Sequence, residues 1–493
     1  MTTDVPVTAD DTAKPLHTIS SEQDVTEAIE AADSPRPRMK WVWILGLGGM
    51  FFEAYSSAAL ATGLGPLSVE FALTPNDIAL LTSASMFVAL VVCPVAGSLS
   101  DRWGRVALIL LAKVFAVCSA LLAALSWNFE ALLVSRVFAG ISWALDCAVV
   151  LAYLAEFLPQ RHQGRLNRWQ GIWYVATTCN LLFAVAIFHI GVGQSIWRYS
   201  LASAGAIALI LALLQLRYLP ESPRWLASQG RVDKAAEVLG LVYDIDVAAG
   251  LQQKRVHART RSGAARLADI TELFSGKLRA RTILSSVTFM MQGLQYYAIG
   301  WYLPVIALTI FGQDFVAATM GAVVFNIFGI IGGFSSGPLA TRFRIRRCMQ
   351  VGFGGAAVVL LLLGLAFDSL PLWMAFVLPA LFLLFHSAGA SPGGASLAAL
   401  AYPSHLRALG TGLTMALASG AAALGLFCYP LLQSSLGEGG AIAATALVPL
   451  IGLVVSSIIR WDPERQRPTD CAESAESAGR GTNSESGPQP SAL

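Results

Sequence analysis

Four ionisable side chains, Glu53, Arg136, Asp146 and Lys113, stand inside apolar runs of this sequence. Glu53 lies in "LGGMFFEAYSSAALATGL", and Arg136 and Asp146 lie in "SRVFAGISWALD". A charge in such a run is costly, by about 2.5–3.5 kcal/mol on insertion scales, and by default marks function. The chemistry these types allow is proton exchange. A carboxylate pairs with a guanidinium, and protonation breaks the attraction. Counted from Trp41, Glu53 lies about 18 Å into its run. Arg136 lies about 9 Å into its own run, which enters from the other face, so the two reach similar depths. Ser56 and Ser57 share the Glu53 face at i+3 and i+4. Asp146 is a second proton site, a binder of solute polar groups or a helix–helix hydrogen-bond partner. Lys113 is expected to snorkel toward the interface.

Two polar and aromatic stripes accompany the charges. Gln170, Trp173, Tyr174 and Thr177 fall at i, i+3, i+4 and i+7, with Asn180 close to that face. Gln292, Gln295 and Tyr296 form a second stripe, and Asn326 and His386 are placed to complete a cavity. Amides give donors and acceptors to a small polar solute, and aromatic rings cover its apolar faces. The competing use of such side chains is glue between helices.

The elements that must position these groups are membrane spans. The chain has 493 residues, 55% hydrophobic and 13% charged, against about 25% charged in soluble chains. Mean hydropathy is +0.61. Apolar runs predict twelve spans near 41–65, 77–99, 106–126, 130–157, 168–190, 197–218, 281–310, 315–340, 348–367, 371–400, 410–434 and 440–460. The fold class is thus an all-α membrane protein. Residues 1–38 and 461–493 read as disordered tails. Residues 39–218 and 281–460 form two six-helix bundles, and 219–280 a linker with interfacial helices, "VDKAAEVLGLV" among them. The links at 100–105, 158–167, 219–280, 341–347 and 401–409 all carry Arg, while the opposite links carry no Lys or Arg. That asymmetry puts both termini in the cytoplasm, in a multi-pass protein of the cell (inner) membrane. The seven cysteines contain no CxxC pair, so no metal or disulfide framework is expected. Nothing points to nucleic acid. The expected partners are a small solute and the bilayer, with the chain a monomer.

The chain also repeats. "GSLSDRWGR" begins at Gly97 and "GPLATRFRIRR" at Gly337, 240 residues on. "EFLPQRHQGR" and "AYPSHLRALG" echo each other at nearly the same offset. Two matched halves are the pattern of a transporter built from two similar bundles.

The first of these loops, with Gly97, Asp101, Arg102, Gly104 and Arg105, resembles the signature of the major facilitator superfamily. "LPESPRWLASQGR" from Leu219 and "YLAEFLP" from Tyr153 resemble its sugar porters and related solute carriers. "MMQGLQYY" keeps one sugar-porter amide, Gln292, but has Met291 and Tyr297 at other positions of that pattern. "RVFAGISWALD" is similar to the fourth span of phosphate and organic-acid symporters, with Asp146 ten residues after Arg136. The resemblance implies alternating access by two pseudo-symmetric bundles and symport of a sugar, polyol or organic acid. The proton is the coupling ion, without any other cofactor and without enzymatic chemistry. It further implies that Glu53 pairs with Arg136. It gives the loops a gating role, with Arg105 reaching Glu156, and Arg342 and Arg407 at the second-half positions. Gln163 stands where the family usually has Arg. Asp101 is expected at the start of span three and Gly97 at a close helix approach. Uniport, efflux and a sensor with a transporter-like body are the alternatives.

Overall fold

The computed structural model describes residues 16–32, 36–159, 166, 168–250, 270–311, 314–402 and 404–461. Twelve helical passes run through them. The first bundle holds Pro37–Glu70, Pro75–Trp103, Arg105–Ala124, Phe129–Glu156, Trp169–His189 and Ile196–Tyr218. In the second, the eighth and ninth passes are Phe315–Phe343 and Ile345–Leu365. The eleventh and twelfth run almost continuously from Ser404 to Ile458 and are divided at Gly437, whose φ is +73°. The seventh and tenth are interrupted. Gly276–Gln295 passes through a π-helical turn at Tyr296–Gly300 into Leu303–Ile310. Leu372–Phe385 passes through another at His386–Ala390 into Ser391–Leu400. A π turn widens the helix and frees carbonyls, a distortion concentrated at functional sites.

The exposed side chains along the passes are apolar, Ile210, Leu213, Leu216, Val358 and Leu365 among them. Polar groups such as Gln170, Asn180, Gln295 and His386 are buried instead. That inversion suits a hydrocarbon solvent. The chain is an integral, multi-pass membrane protein.

The repeat is visible in the backbone. Span two ends at Trp103, Gly104 takes φ +101°, and span three starts at Arg105. The matching junction, 240 residues on, is Phe343, Arg344 with φ +71°, and Ile345. Glycine meets this conformation without strain at Gly104, whereas Arg344 carries a Cβ through it.

Two expectations are corrected at the linker face. Residues 16–31 are ordered rather than part of a disordered tail. Leu16–Ile19 pairs in parallel with Asp246–Ala249 of the linker. Glu22–Ala31 is a helix closed by a Ser21/Asp24 capping box, with Val25, Ala28 and Ile29 fully buried. The apolar face of that helix was the signal, hidden by the acidic composition around it. The linker is likewise helical only in part, since it supplies the second strand. Its amphipathic helix forms at Val232–Val242, as expected. The C-terminal tail, from 462 on, lies outside the described residues.

Candidate functional site

Glu53 and Arg136 face one cavity of about 40 Å³ between the bundles. Ser56, Ser57, Thr82 and Ser85 contribute hydroxyls to its wall; Trp143, Tyr297 and Trp301 contribute rings. Solute pockets usually measure about 300–1,000 Å³. The walls must therefore part to admit a sugar-sized molecule.

The expected Glu53–Arg136 pair does not form here. Glu53 Oε1 accepts from Ser142 Oγ at 2.9 Å. The one described hydrogen bond of Arg136 runs from Nε to Ser135 Oγ at 3.3 Å. Depth along the spans placed both groups at one level but did not fix which rotamer each takes. Lys113 also departs from expectation. It is fully buried, and Nζ binds Asp146 Oδ2 at 2.5 Å. It lies 4.9 Å from the centre of the Phe52 ring. An acid on the neighbouring helix offers the ammonium a partner, so it has no need to reach the interface. Asp146 sits in a slot left by Gly49, where a Cβ would lie 2.7 Å from Oδ2. Its other oxygen has no partner.

The amide and aromatic stripes meet each other, not the open cavity. Trp173 Nε1 donates to Tyr296 Oη at 2.7 Å, joining span five to span seven. Ser391 Oγ donates to Gln170 Oε1 at 2.9 Å, joining span ten to span five. His386 stacks on Tyr296, ring centres 5.0 Å apart. Its two ring nitrogens lie 3.4 Å from the Gln292 amide and 3.0 Å from the Gln295 amide. In both contacts the near amide atom is Nε2; a neutral imidazole has a single acceptor nitrogen, so one of the two amides donates its N–H to it. Tyr174 Oη and Asn180 Nδ2 are buried without partners. Two predicted residues are spent within their own helices and a third on span one. Thr177 and Asn326 bond carbonyls of their own helices, and Asn180 Oδ1 accepts from Thr62 at 3.3 Å. Trp143 stacks edge-on against Trp173, and Tyr297 against Tyr296. Those two rings are the partition between cavity and cluster.

Several participants were missed. Trp301 Nε1 donates to Ser57 Oγ at 2.9 Å, and Thr82 Oγ1 meets Tyr302 Oη at 2.9 Å, both across the bundle interface. The i, i+4 spacing of Tyr297 and Trp301 was a legible signal; no local pattern singled out Ser142 or Thr82.

At the linker face Arg105 does reach Glu156, at 3.0 Å. Asp101 is corrected: it sits in the last turn of span two, 68% exposed, and pairs with Arg105 at 2.9 Å. The acid at the start of span three is Glu221, whose carboxylate accepts from the backbone N–H of Arg105 at 3.0 Å and of Val106 at 3.2 Å. Burial pushes that carboxyl above its ordinary range, against the pull of the backbone donors. Gly104 makes room for it, since a Cβ there would stand 2.5 Å from Glu221 Oε2. Gly97 is also corrected, because nothing lies within 4 Å of where its Cβ would be. Arg102 and Arg342 are exposed, the latter over the Phe343 ring at 5.5 Å. Gln163 and the side chain of Arg407 lie outside the described residues. Glu22 of the tail helix joins this region. Burial raises its carboxyl, and the Glu156 charge raises it further.

Known proteins resemble this chain in sequence and in fold. The arabinose-proton symporter of Bacillus subtilis is 26% identical over 331 residues, 65% of this chain and 69% of its own. The major myo-inositol transporter IolT of the same organism is 27% identical over 378 residues, 75% and 79% of the two chains. The fold matches that of the xylose transporter XylE from E. coli in a partially occluded inward-open conformation. The TM-score is 0.70 at 15% identity, over 87% of this chain and 99% of that one. The family described as "Sugar (and other) transporter" matches residues 44–459. The chain belongs to that family, within the major facilitator superfamily.

Proposed function

We propose that the chain is a proton-coupled symporter of a small polyhydroxylated solute, of the sugar and polyol class. The observation that carries the reading is the shared cavity. One carboxyl group and one guanidinium face the same small space, beside hydrogen bonds that tie the two bundles together. Glu53 is the exchanging acid. Protonated, it leaves Arg136 free; ionised, it draws Arg136 across the cavity and biases the bundles toward the other arrangement. The Lys113–Asp146 pair supplies a fixed, compensated background. The amide and His386 cluster opens to receive solute hydroxyls once the Trp143 and Tyr297 rings part. The Arg105–Glu156–Asp101 ties close the linker face in one state and release it in the other. The protein acts as a monomer in the cell membrane, both termini cytoplasmic, with the proton alone as coupling ion.

Uptake of labelled sugars and polyols into proteoliposomes tests this. With one proton per neutral solute, each unit of inward pH gradient supports at most about tenfold accumulation. Glu53→Gln is expected to abolish accumulation while preserving exchange of solute across the membrane. Accumulation surviving in Glu53→Gln would sink the assignment, and wild-type uptake indifferent to the gradient would make the protein a uniporter.

A further inference from the structure

We infer that the solute carries a carboxylate, so that the class is the polyhydroxy acid rather than the neutral sugar, and that Arg136 is its receptor. The inference rests on the proton-symport reading and replaces its neutral solute by an acid of the same hydroxylated skeleton. Arg136 is 4% exposed and lines the cavity, yet no acid among the described residues lies within ion-pair distance of it. A buried charge without a counter-ion is strongly unfavourable. Glu53, the carboxyl group that lines the cavity with it, accepts from Ser142, and Asp146, ten residues further along the same span, holds Lys113. Beside Arg136, the hydroxyls of Ser56 and Ser85 face the same space with no described partner, and Trp143, Tyr297 and Trp301 supply rings. A guanidinium, free hydroxyls and aromatic faces together recognise a carboxylate on a hydroxylated carbon chain.

Charge counting makes the coupling explicit. Lys113 and Asp146 cancel. The other titratable groups near Glu53 are the Cys147 thiol on span four and the Tyr297 phenol on span seven, whose ordinary values of about 8.5 and 10 leave them neutral at pH 7. With Glu53 protonated, the cavity holds one net positive charge, which one solute carboxylate neutralises. With Glu53 ionised, its own carboxylate competes for Arg136 and excludes the solute. A monoanion and a proton therefore move together, with no net charge transferred.

The test uses the full chain in proteoliposomes and solutes matched in skeleton: D-gluconate against D-glucitol, and D-glucuronate against D-glucose. In the wild type each acid is expected to compete at least about tenfold better than its neutral partner. Acid uptake driven by a pH gradient should not respond to an imposed potassium–valinomycin potential. Arg136→Gln should erase the acid preference, and Arg136→Lys should retain part of it. A neutral partner that wins in the wild type, or acid uptake driven by potential, overturns the inference. So does acid preference persisting in Arg136→Gln. If that variant fails to fold, the wild-type comparisons and Arg136→Lys still decide. Neutral polyols accumulated with protons while acids are ignored would refute the carboxylate and leave symport standing. Accumulation of neither would remove both.

Discussion

Replacing Lys113 by Met isolates one buried charge, and its consequence can be worked through. Lys113 and Asp146 have no solvent exposure, and Nζ to Oδ2 is 2.5 Å. Asp146 Oδ1 has no partner to begin with, so the substitution leaves the carboxylate with no partner at all. Breaking a buried pair from one side typically costs about 3–5 kcal/mol. The carboxylate can escape by taking up a proton. From an unfolded reference near 3.9, that costs about 1.36 kcal/mol per pH unit, hence about 4 kcal/mol at pH 7 and about 1.5 at pH 5. The folded variant then holds a proton that its unfolded chain releases. Its deficit must therefore shrink as pH falls and grow as pH rises. Unfolding of purified protein in detergent at pH 5, 6 and 7 measures this directly. Lys113→Met/Asp146→Asn removes the orphaned charge and should recover most of the loss at pH 7. A deficit below about 1 kcal/mol at pH 7, or one indifferent to pH, would refute the picture of a compensated pair in a dry slot.

Two further outcomes follow from the linker face. Gly104→Ala forces a side chain into a conformation that costs about 1–3 kcal/mol and drives its Cβ to 2.5 Å from Glu221 Oε2. Thermal unfolding of Gly104→Ala, Glu221→Ala and the double variant should be less than additive, because the clash disappears when Glu221 is truncated. Ile29→Asp places a charge at a fully buried position of the tail helix. Hydrogen exchange should then show Leu16–Ile19, Glu22–Ala31 and Asp246–Ala249 losing protection together, and retained protection at Asp246–Ala249 would show that the strand pair stands without the helix.

Helix positions and the repeat could be read because hydrocarbon imposes a length and an apolar content on every pass. The matched turns at Gly104 and Arg344 follow from motifs 240 residues apart. Pairings inside the bundles were harder. Sequence puts Glu53, Arg136, Asp146 and Lys113 in membrane spans, but any basic group can pair with either acid, and Ser142 settled the matter for Glu53. The amide stripes were legible as faces. Their closure on His386 joins span seven to span ten, a pairing between distant segments that no local pattern encodes. Glu221 was concealed for a simpler reason: the acid serving the start of span three comes from a segment more than a hundred residues away in the chain.

The parallel strand pair carries a consequence for synthesis. Leu16 waits for Asp246, 230 positions further along. At about 5–20 residues per second that is roughly 10–50 s during which the amino-terminal segment has no template. Six passes enter the bilayer before its partner strand emerges from the ribosome. The seal at the front of the chain is thus a late step, made only after the whole first bundle and half the linker have been translated, and nascent chains arrested before residue 249 should keep that segment open to protease.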